Sequence, residues 1–269
     1  MLHRVCFSTC LRPFKCWRNL SQQFDAYQVP YSFLEHTADV WVRDFMPVST
    51  PSGRLVQFVY EPDYLADLER FRTDPAPVTA ALGIVPEKSD LKVDGGNVIR
   101  CDDCVIMTDK VLIDNPMCSP AKLIAKLEKQ LEAELVLIPR DPEEPCGHSD
   151  GMVRYMGHGR LLVNHYTDFD PALCRRLRKA LSPRFDLVEL HFGTDRYIET
   201  SWAYLNYLQE ADMLFVPACE TPIDDAAFAQ IESATSCRVV PVVCGNLLKL
   251  GGALNCISWE MPTAHFTGN

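Results

Sequence analysis

Short apolar runs recur along this chain, each closed by turn residues, and between them lie stretches where apolar positions return every three or four residues. The runs predict strands at residues 5–10, 39–42, 55–60, 89–93, 105–108, 135–138, 152–155, 161–164, 185–190, 213–216 and 238–243. The helical spacing predicts helices at 62–71, 120–133, 171–181, 200–210 and 223–234. Two of these have clear start signals. Ser119-Pro120 and Asp170-Pro171 each offer a capping side chain followed by proline in the first helical position. Near the N-terminus, Phe14, Trp17, Leu20 and Phe24 also fall at helical spacing, which predicts a basic helix after the first strand. The same segment carries Arg4, Arg12, Lys15 and Arg18 and no acid before Asp25, a composition shared with organelle transit peptides; the helical spacing favours a folded helix. Strands alternate with helices from end to end, with no flexible linker, so the pattern reads as an α/β fold in one continuous domain, residues 1–269.

Four polar clusters interrupt this pattern. They are Trp41-Val42-Arg43-Asp44, Asp94-Gly95-Gly96-Asn97, Gly147-His148-Ser149-Asp150 and Gly251-Gly252-Ala253-Leu254-Asn255-Cys256. Asp44, Asp94 and His148 stand 50 and 54 residues apart, and Cys256 follows His148 by 108, twice that step. Glu199 stands near the one vacant point. Such spacing suggests a repeated unit of strands and one helix, five to the chain, whose equivalent loops would meet in one pocket.

Composition narrows the function. A formal charge of −10 argues against nucleic acid, whose phosphates demand a basic face, and suits a cationic small molecule. No apolar run approaches the roughly 18 residues that a membrane span needs. The twelve cysteines are irregularly spaced in a long chain, so they read as free thiols in a reducing, cytoplasmic compartment. Cys101 and Cys104 form one C-x-x-C without a second pair, and no metal is expected there.

The clusters carry compatible chemistry. Cys256 follows a glycine turn that allows close approach of another group, and is either a nucleophile or a buried structural thiol. His148 and Asp150, two apart at the head of a strand, would project from one face. A histidine near a thiol can donate and accept a proton near neutrality. Asp94 opens either a functional loop or a plain Asp-Gly turn, and Asp44 pairs either with a ligand or with Arg43. Three carboxylates suit a planar guanidinium, which takes paired in-plane hydrogen bonds and leaves its central carbon open to attack from above. Trp41 could stack on such a cation.

These four motifs, in this order, resemble those of the agmatine deiminases and bacterial-type peptidylarginine deiminases, among the guanidino-group-modifying enzymes. Tyr204-Leu205-Asn206-Tyr207 is similar to a further Tyr-x-Asn stretch of that family. The resemblance implies a five-bladed pseudo-symmetric α/β propeller (a pentein), a single domain of about five αβ units. It implies Cys256 as nucleophile, His148 as general acid and base, Asp94 as the acid paired with the histidine, and Asp44 and Asp150 as the guanidinium-binding carboxylates. Trp41, Asn97, Asn206 and Asn255 would complete the substrate pocket. The implied reaction is hydrolysis of a guanidine through a cysteine amidino-thioether, giving ammonia and a ureido product without metal or organic cofactor. The expected partner is a small cationic guanidino molecule, neither nucleic acid nor a membrane, and a homodimer is left open. The sequence departs from the family at Phe45-Met46-Pro47, where Gly-Pro is usual, at Asn255, where His is usual, and at Asp94, where agmatine deiminases often carry Glu. Agmatine, arginine, a peptide C-terminal arginine and a methylated arginine all stay open as substrates. An amidinotransferase of the same fold and a catalytically inactive binder of guanidino metabolites are the alternatives. A papain-like protease is disfavoured by the order His148 before Cys256 and by the lack of a C-G-S-C-W stretch.

Overall fold

A computed structural model of the chain describes residues 3–144 and 146–262. The chain opens with β1 (His3–Ser8), the helix Lys15–Tyr27 and β2 (Tyr31–Leu34). Four further units follow, each a strand, a hairpin to an antiparallel second strand, a helical crossover and a third strand parallel to the second. The second contains β3 (Val48–Ser49), β4 (Leu55–Val59), the helix Pro75–Ala81 and β5 (Glu87–Lys92). The third contains β6 (Ile99–Arg100), β7 (Cys104–Thr108), the helix Pro120–Leu131 and β8 (Glu134–Ile138). The fourth contains β9 (Val153–Gly157), β10 (Arg160–Val163), the helix Pro171–Leu181 and β11 (Asp186–Glu189). The fifth contains β12 (Leu208–Glu210), β13 (Met213–Ala218), the helix Asp224–Ala234 and β14 (Arg238–Val243). The chain then reaches β15 (Trp259–Pro262), which pairs antiparallel with β1 and supplies the short strand that the first unit lacks.

The result is a mixed α/β fold of five three-stranded sheets, all with the same order and strand directions, which fits a five-fold pseudo-symmetry. Each central strand is buried on both faces. In β1, Val5 and Phe7 enter one apolar cluster and Cys6 another. In β7, Val105 and Met107 face one cluster while Cys104 and Ile106 face the next. In β13, Leu214 and Val216 face one and Phe215 another. The two-residue period of a strand thus splits an unbroken apolar run between two cores, which is why these strands read as continuous hydrophobic segments. Each cluster joins two successive sheets, and one joins β13 and β14 of the last sheet to β1 of the first.

Three expected elements are corrected. Residues 39–42 form no strand: the Asp39 carboxylate accepts the Trp41 amide at 3.1 Å and turns the chain into a single helical turn, Val42–Phe45. Residues 62–71 form two short 3₁₀ turns, Asp63–Leu65 and Glu69–Phe71, because only Leu65 among their residues is buried and no apolar stripe exists to hold a helix. Residues 200–210 form the 3₁₀ turn Ser201–Tyr204 and then β12, which folds back on β13 through Ala211 at φ 51°. The basic N-terminal segment forms β1 and the helix Lys15–Tyr27, whose buried Trp17, Leu20 and Phe24 pack in the core. All twelve cysteines are free. Among the described residues no helix is long and apolar enough to cross a membrane.

Candidate active site

The segment that follows the last strand of each sheet brings polar side chains to one place. After β2 come Asp39, Trp41 and Asp44; after β5, Asp94; after β8, Glu144, His148 and Asp150; after β11, Asn206; after β14, Cys256. Six contacts define the cluster. His148 Nε2 lies 3.1 Å from Asp94 Oδ2, and its Nδ1 lies 3.8 Å from Asp44 Oδ1. Asp44 accepts the Gly96 amide at 2.9 Å and the Tyr64 hydroxyl at 2.8 Å. Cys256 Sγ donates to Asn206 Oδ1 at 3.3 Å and lies 3.8 Å from Asp150 Oδ2. The same Asn206 oxygen accepts the backbone amides of Asn255 and Cys256, so it fixes the turn that carries the thiol. Beneath them is Gly96. A Cβ there would stand 2.7 Å from His148 Nδ1, 2.8 Å from Asp44 Oδ1 and 3.3 Å from Asp150 Oδ2, so only glycine lets the three groups close on one point.

Asp44, His148, Asp150 and Cys256 line the floor of a cavity of about 640 Å³. Trp41, Tyr64 and Trp202 form its walls, and the exposed Leu68, Phe71, Lys249 and Leu250 mark its mouth. Trp41 reaches the wall because Gly252 has no side chain: a Cβ there would fall 2.1 Å from the ring. Glu144 accepts the backbone amides of Cys146 (3.2 Å) and His148 (2.8 Å), which ties down the loop that presents the imidazole.

Burial and charge set the protonation of the cluster. Burial lifts the Asp44 carboxyl to about 6, with Asp94 and Asp150 adding to the rise against the pull of His148. Burial opposes the imidazolium of His148, but Asp44, Asp94 and Glu144 outweigh it and raise the group to about 10. Burial, then Asp150 and Asp44, push the Cys256 thiol well above its ordinary value. These shifts favour a protonated histidine and a protonated thiol near neutrality. Among the described residues no three His, Cys, Asp or Glu side chains stand where they could share a metal ion.

A family model for the Porphyromonas-type peptidyl-arginine deiminase matches residues 14–262, nearly the whole chain. The chain belongs to this deiminase family. No curated protein sequence matches it. Among solved structures it is similar in fold to the C. jejuni agmatine deiminase, with 15% identity and a TM-score of 0.76 over 96% of this chain and 92% of that one. The agmatine deiminase of Enterococcus faecalis gives 15% identity and a TM-score of 0.71, over 96% and 93% of the two chains. DDAH from Pseudomonas aeruginosa gives 15% and 0.62, over 97% of this chain and all of that one.

In this deiminase-family chain the residues expected from the sequence fall into three positions. Asp44, His148, Asp150, Cys256 and Trp41 line the cavity. Asp94 and Asn206 lie behind it, one against the imidazole and the other against the thiol. Asn97 and Asn255 are not in its lining. The Asn97 side-chain oxygen accepts the amide and hydroxyl of Thr108, and Asn255 donates to Asp150 from the far side at 2.8 Å. Arg43 does not pair with Asp44; it reaches Glu260 and the Asn255 carbonyl. Glu199, near the vacant point of the spacing, is exposed, and Asn206 takes the fifth place instead. His148 and Asp150 share a 3₁₀ turn, Ser149–Gly151 with His148 at its N-cap, not a strand, and still converge. Sequence reading missed Tyr64 and Glu144. Tyr64 sits in a segment read as an ordinary amphipathic helix, and Glu144 in a proline-rich loop with no distinguishing pattern.

Proposed function

We propose that this chain is a hydrolytic deiminase in which Cys256 attacks the carbon of a guanidinium held between Asp44 and Asp150, within a five-bladed propeller whose single domain is built of five αβ units. The observation that carries the reading is the convergence of two carboxylates and an imidazole on Gly96, with the Cys256 thiol beside one of those carboxylates, at the floor of one cavity. A guanidinium there would meet carboxylates in its plane and the thiol off it. Its positive charge would offset the carboxylate field that keeps Cys256 protonated, so the substrate itself favours the thiolate, whose proton leaves to solvent. The sulfur adds to the carbon. The His148 imidazolium gives its proton to the departing nitrogen, the C–N bond breaks, and ammonia leaves an amidino-thioether on Cys256. His148, now neutral, takes one proton from water as the oxygen adds to the same carbon; the C–S bond then breaks, the added hydroxyl loses its proton to solvent, and the ureido product and the thiolate are released. Asp94 holds the imidazole through Nε2 and leaves Nδ1 toward the substrate.

The mouth of the cavity bears on the substrate. Lys249 is the one Lys or Arg lining it among the described residues. A second cation at the far end of the substrate, as in agmatine, would meet Lys249 unfavourably, while a carboxylate would be drawn to it. We therefore favour arginine-like guanidines with a carboxylate over agmatine. The test is ammonia release from agmatine, arginine, a peptide ending in arginine and a methylated arginine, without an amine acceptor. Release from at least one, abolished in Cys256→Ser with binding retained, supports the reading. Release only with an added amine acceptor indicates an amidinotransferase, and binding without turnover on any of the four indicates an inactive binder.

A further inference from the structure

A second cavity, of about 420 Å³, lies apart from the substrate cavity. It is lined by residues from the antiparallel edge strand of every sheet: Ser49 of β3, Arg100 of β6, Arg154 of β9, Gln209 of β12 and Glu260 of β15. Arg43, on the turn after Trp41, enters it as well. Three guanidinium groups from three units thus face two carboxylates, Asp102 and Glu260, in a protein whose formal charge is −10. Glu260 is bound to Arg43 at 3.4 Å, and Asp102 accepts the Tyr155 hydroxyl. Arg100 donates to the carbonyl and the hydroxyl of Ser49. Arg154 donates to Asn255 Oδ1 at 2.9 Å, and its guanidinium lies 4.6 Å over the Tyr207 ring.

We propose that this cavity is a binding site for a small divalent oxyanion, phosphate being the simplest, held by Arg43, Arg100 and Arg154 and sensed by the nucleophile through Asn255. A guanidinium presents a fork of donors that matches the oxygens of phosphate, and each of these three has more donors than its protein contacts use. The route to the nucleophile is a short chain of bonds. Arg154 donates to the Asn255 side-chain oxygen, the Asn255 nitrogen donates to Asp150 Oδ2, and that oxygen lies 3.8 Å from Cys256 Sγ. Arg43 holds the Asn255 carbonyl from the same side at 3.3 Å. An oxyanion that draws Arg154 toward itself competes with Asn255, loosens the support of Asp150 and shifts the protonation of the thiol. The substrate floor, lined by carboxylates, repels the same anion, so the two sites sort ligands by charge.

Titration calorimetry with inorganic phosphate, at fixed ionic strength on Cys256→Ser protein, tests the site without any turnover. One saturable site with a dissociation constant of about 1 mM or tighter is expected. Arg100→Gln should weaken it at least about tenfold, the loss of one strong charged contact. Arg100 is exposed, and an unchanged urea midpoint will show that this variant folds. Arg154→Gln provides a second reading. No saturable phosphate binding, or binding indifferent to both substitutions, overturns the proposal. The coupling is read as the rate at which a neutral alkylating agent modifies Cys256 in the native chain. Phosphate should change that rate several-fold in the native chain and not in Arg100→Gln; equal rates with and without phosphate overturn the link through Asn255. Neither measurement requires that the chain release ammonia, so failure of this site and failure of the deiminase reading are distinguishable.

Discussion

Gly96 has no side chain, and an imidazole nitrogen and two carboxylate oxygens crowd the space where one would stand. Gly96→Ala should leave the fold in place but displace the converging groups by a few tenths of an ångström or more. A loss of about 100-fold in turnover is expected, since misplacements of this order in a reacting constellation cost that much; ammonia release on the best guanidine measures it. The thiol allows a second test. Cys256 is held protonated by burial and by Asp150 and Asp44. A neutral alkylating agent should therefore react slowly near pH 7, and an amidinium reagent with the same leaving group much faster, because its charge offsets those carboxylates. Equal rates would remove the substrate-assisted step. A third concerns Asp39, buried and raised to about 7, chiefly by burial.

 The folded state keeps a proton there that the unfolded chain, with a group near 4, has lost, so this group's contribution to stability is full below about pH 4 and is lost as pH rises through about 7. Asp39→Asn should flatten that part of the pH–stability curve, gaining on the native chain by a few kcal/mol above pH 7; parallel curves for the two proteins would contradict it.

At the scale of elements, the legible ones were those with a period long enough to count. The helix Pro171–Leu181 was marked by its cap, and the Asp170 carboxylate does accept the amides of Ala172 and Leu173. Asp170→Ala should cost about 1 kcal/mol in urea unfolding with turnover unchanged, because the cap lies outside the cavity. Ser119 precedes its helix in the same way but makes no side-chain capping bond, so Ser119→Ala should cost less. The short strands β3, β6 and β12 escaped notice because two or three residues cannot display a period. β2 and β15 were missed too, at four residues each. Their pairing is decided by a central strand that already lies beside them, not by their own pattern. The turns that carry the site were misread for a related reason. Around Asp39 and Ser201 the chain is bent by side-chain and backbone hydrogen bonds within a few residues, and apolar spacing does not register such bonds.

For the whole molecule, closure is the feature on which the rest depends. β1 pairs with β15 on one side and β2 on the other, so the two ends of the described chain complete one sheet. Phe7, wholly buried in β1, packs against Trp17 and Phe24 in the cluster that also holds Phe215 of the last sheet. Phe7→Ala should cost about 3–5 kcal/mol, the usual loss for a buried aromatic, read as a lower urea midpoint. It should also lower turnover once the closing sheet loosens, since Asp44 follows β2 and Cys256 precedes β15. A Phe7→Ala protein with native stability would show that the closing cluster is dispensable.

The sequence by itself determined the alternation of strands and helices, the identity of the acids, histidine and thiol, and their near-equal spacing along the chain, because these are local patterns or residue types that survive without a fold. Tertiary structure decided which polar residue fills the fifth place, Asn206 and not Glu199, and which of two roles each asparagine takes. It also decided that Tyr64 and Glu144 support the site, and that three arginines share a second cavity. Those outcomes depend on distances between groups tens to hundreds of residues apart in sequence, and such distances exist only once the five sheets have packed against one another.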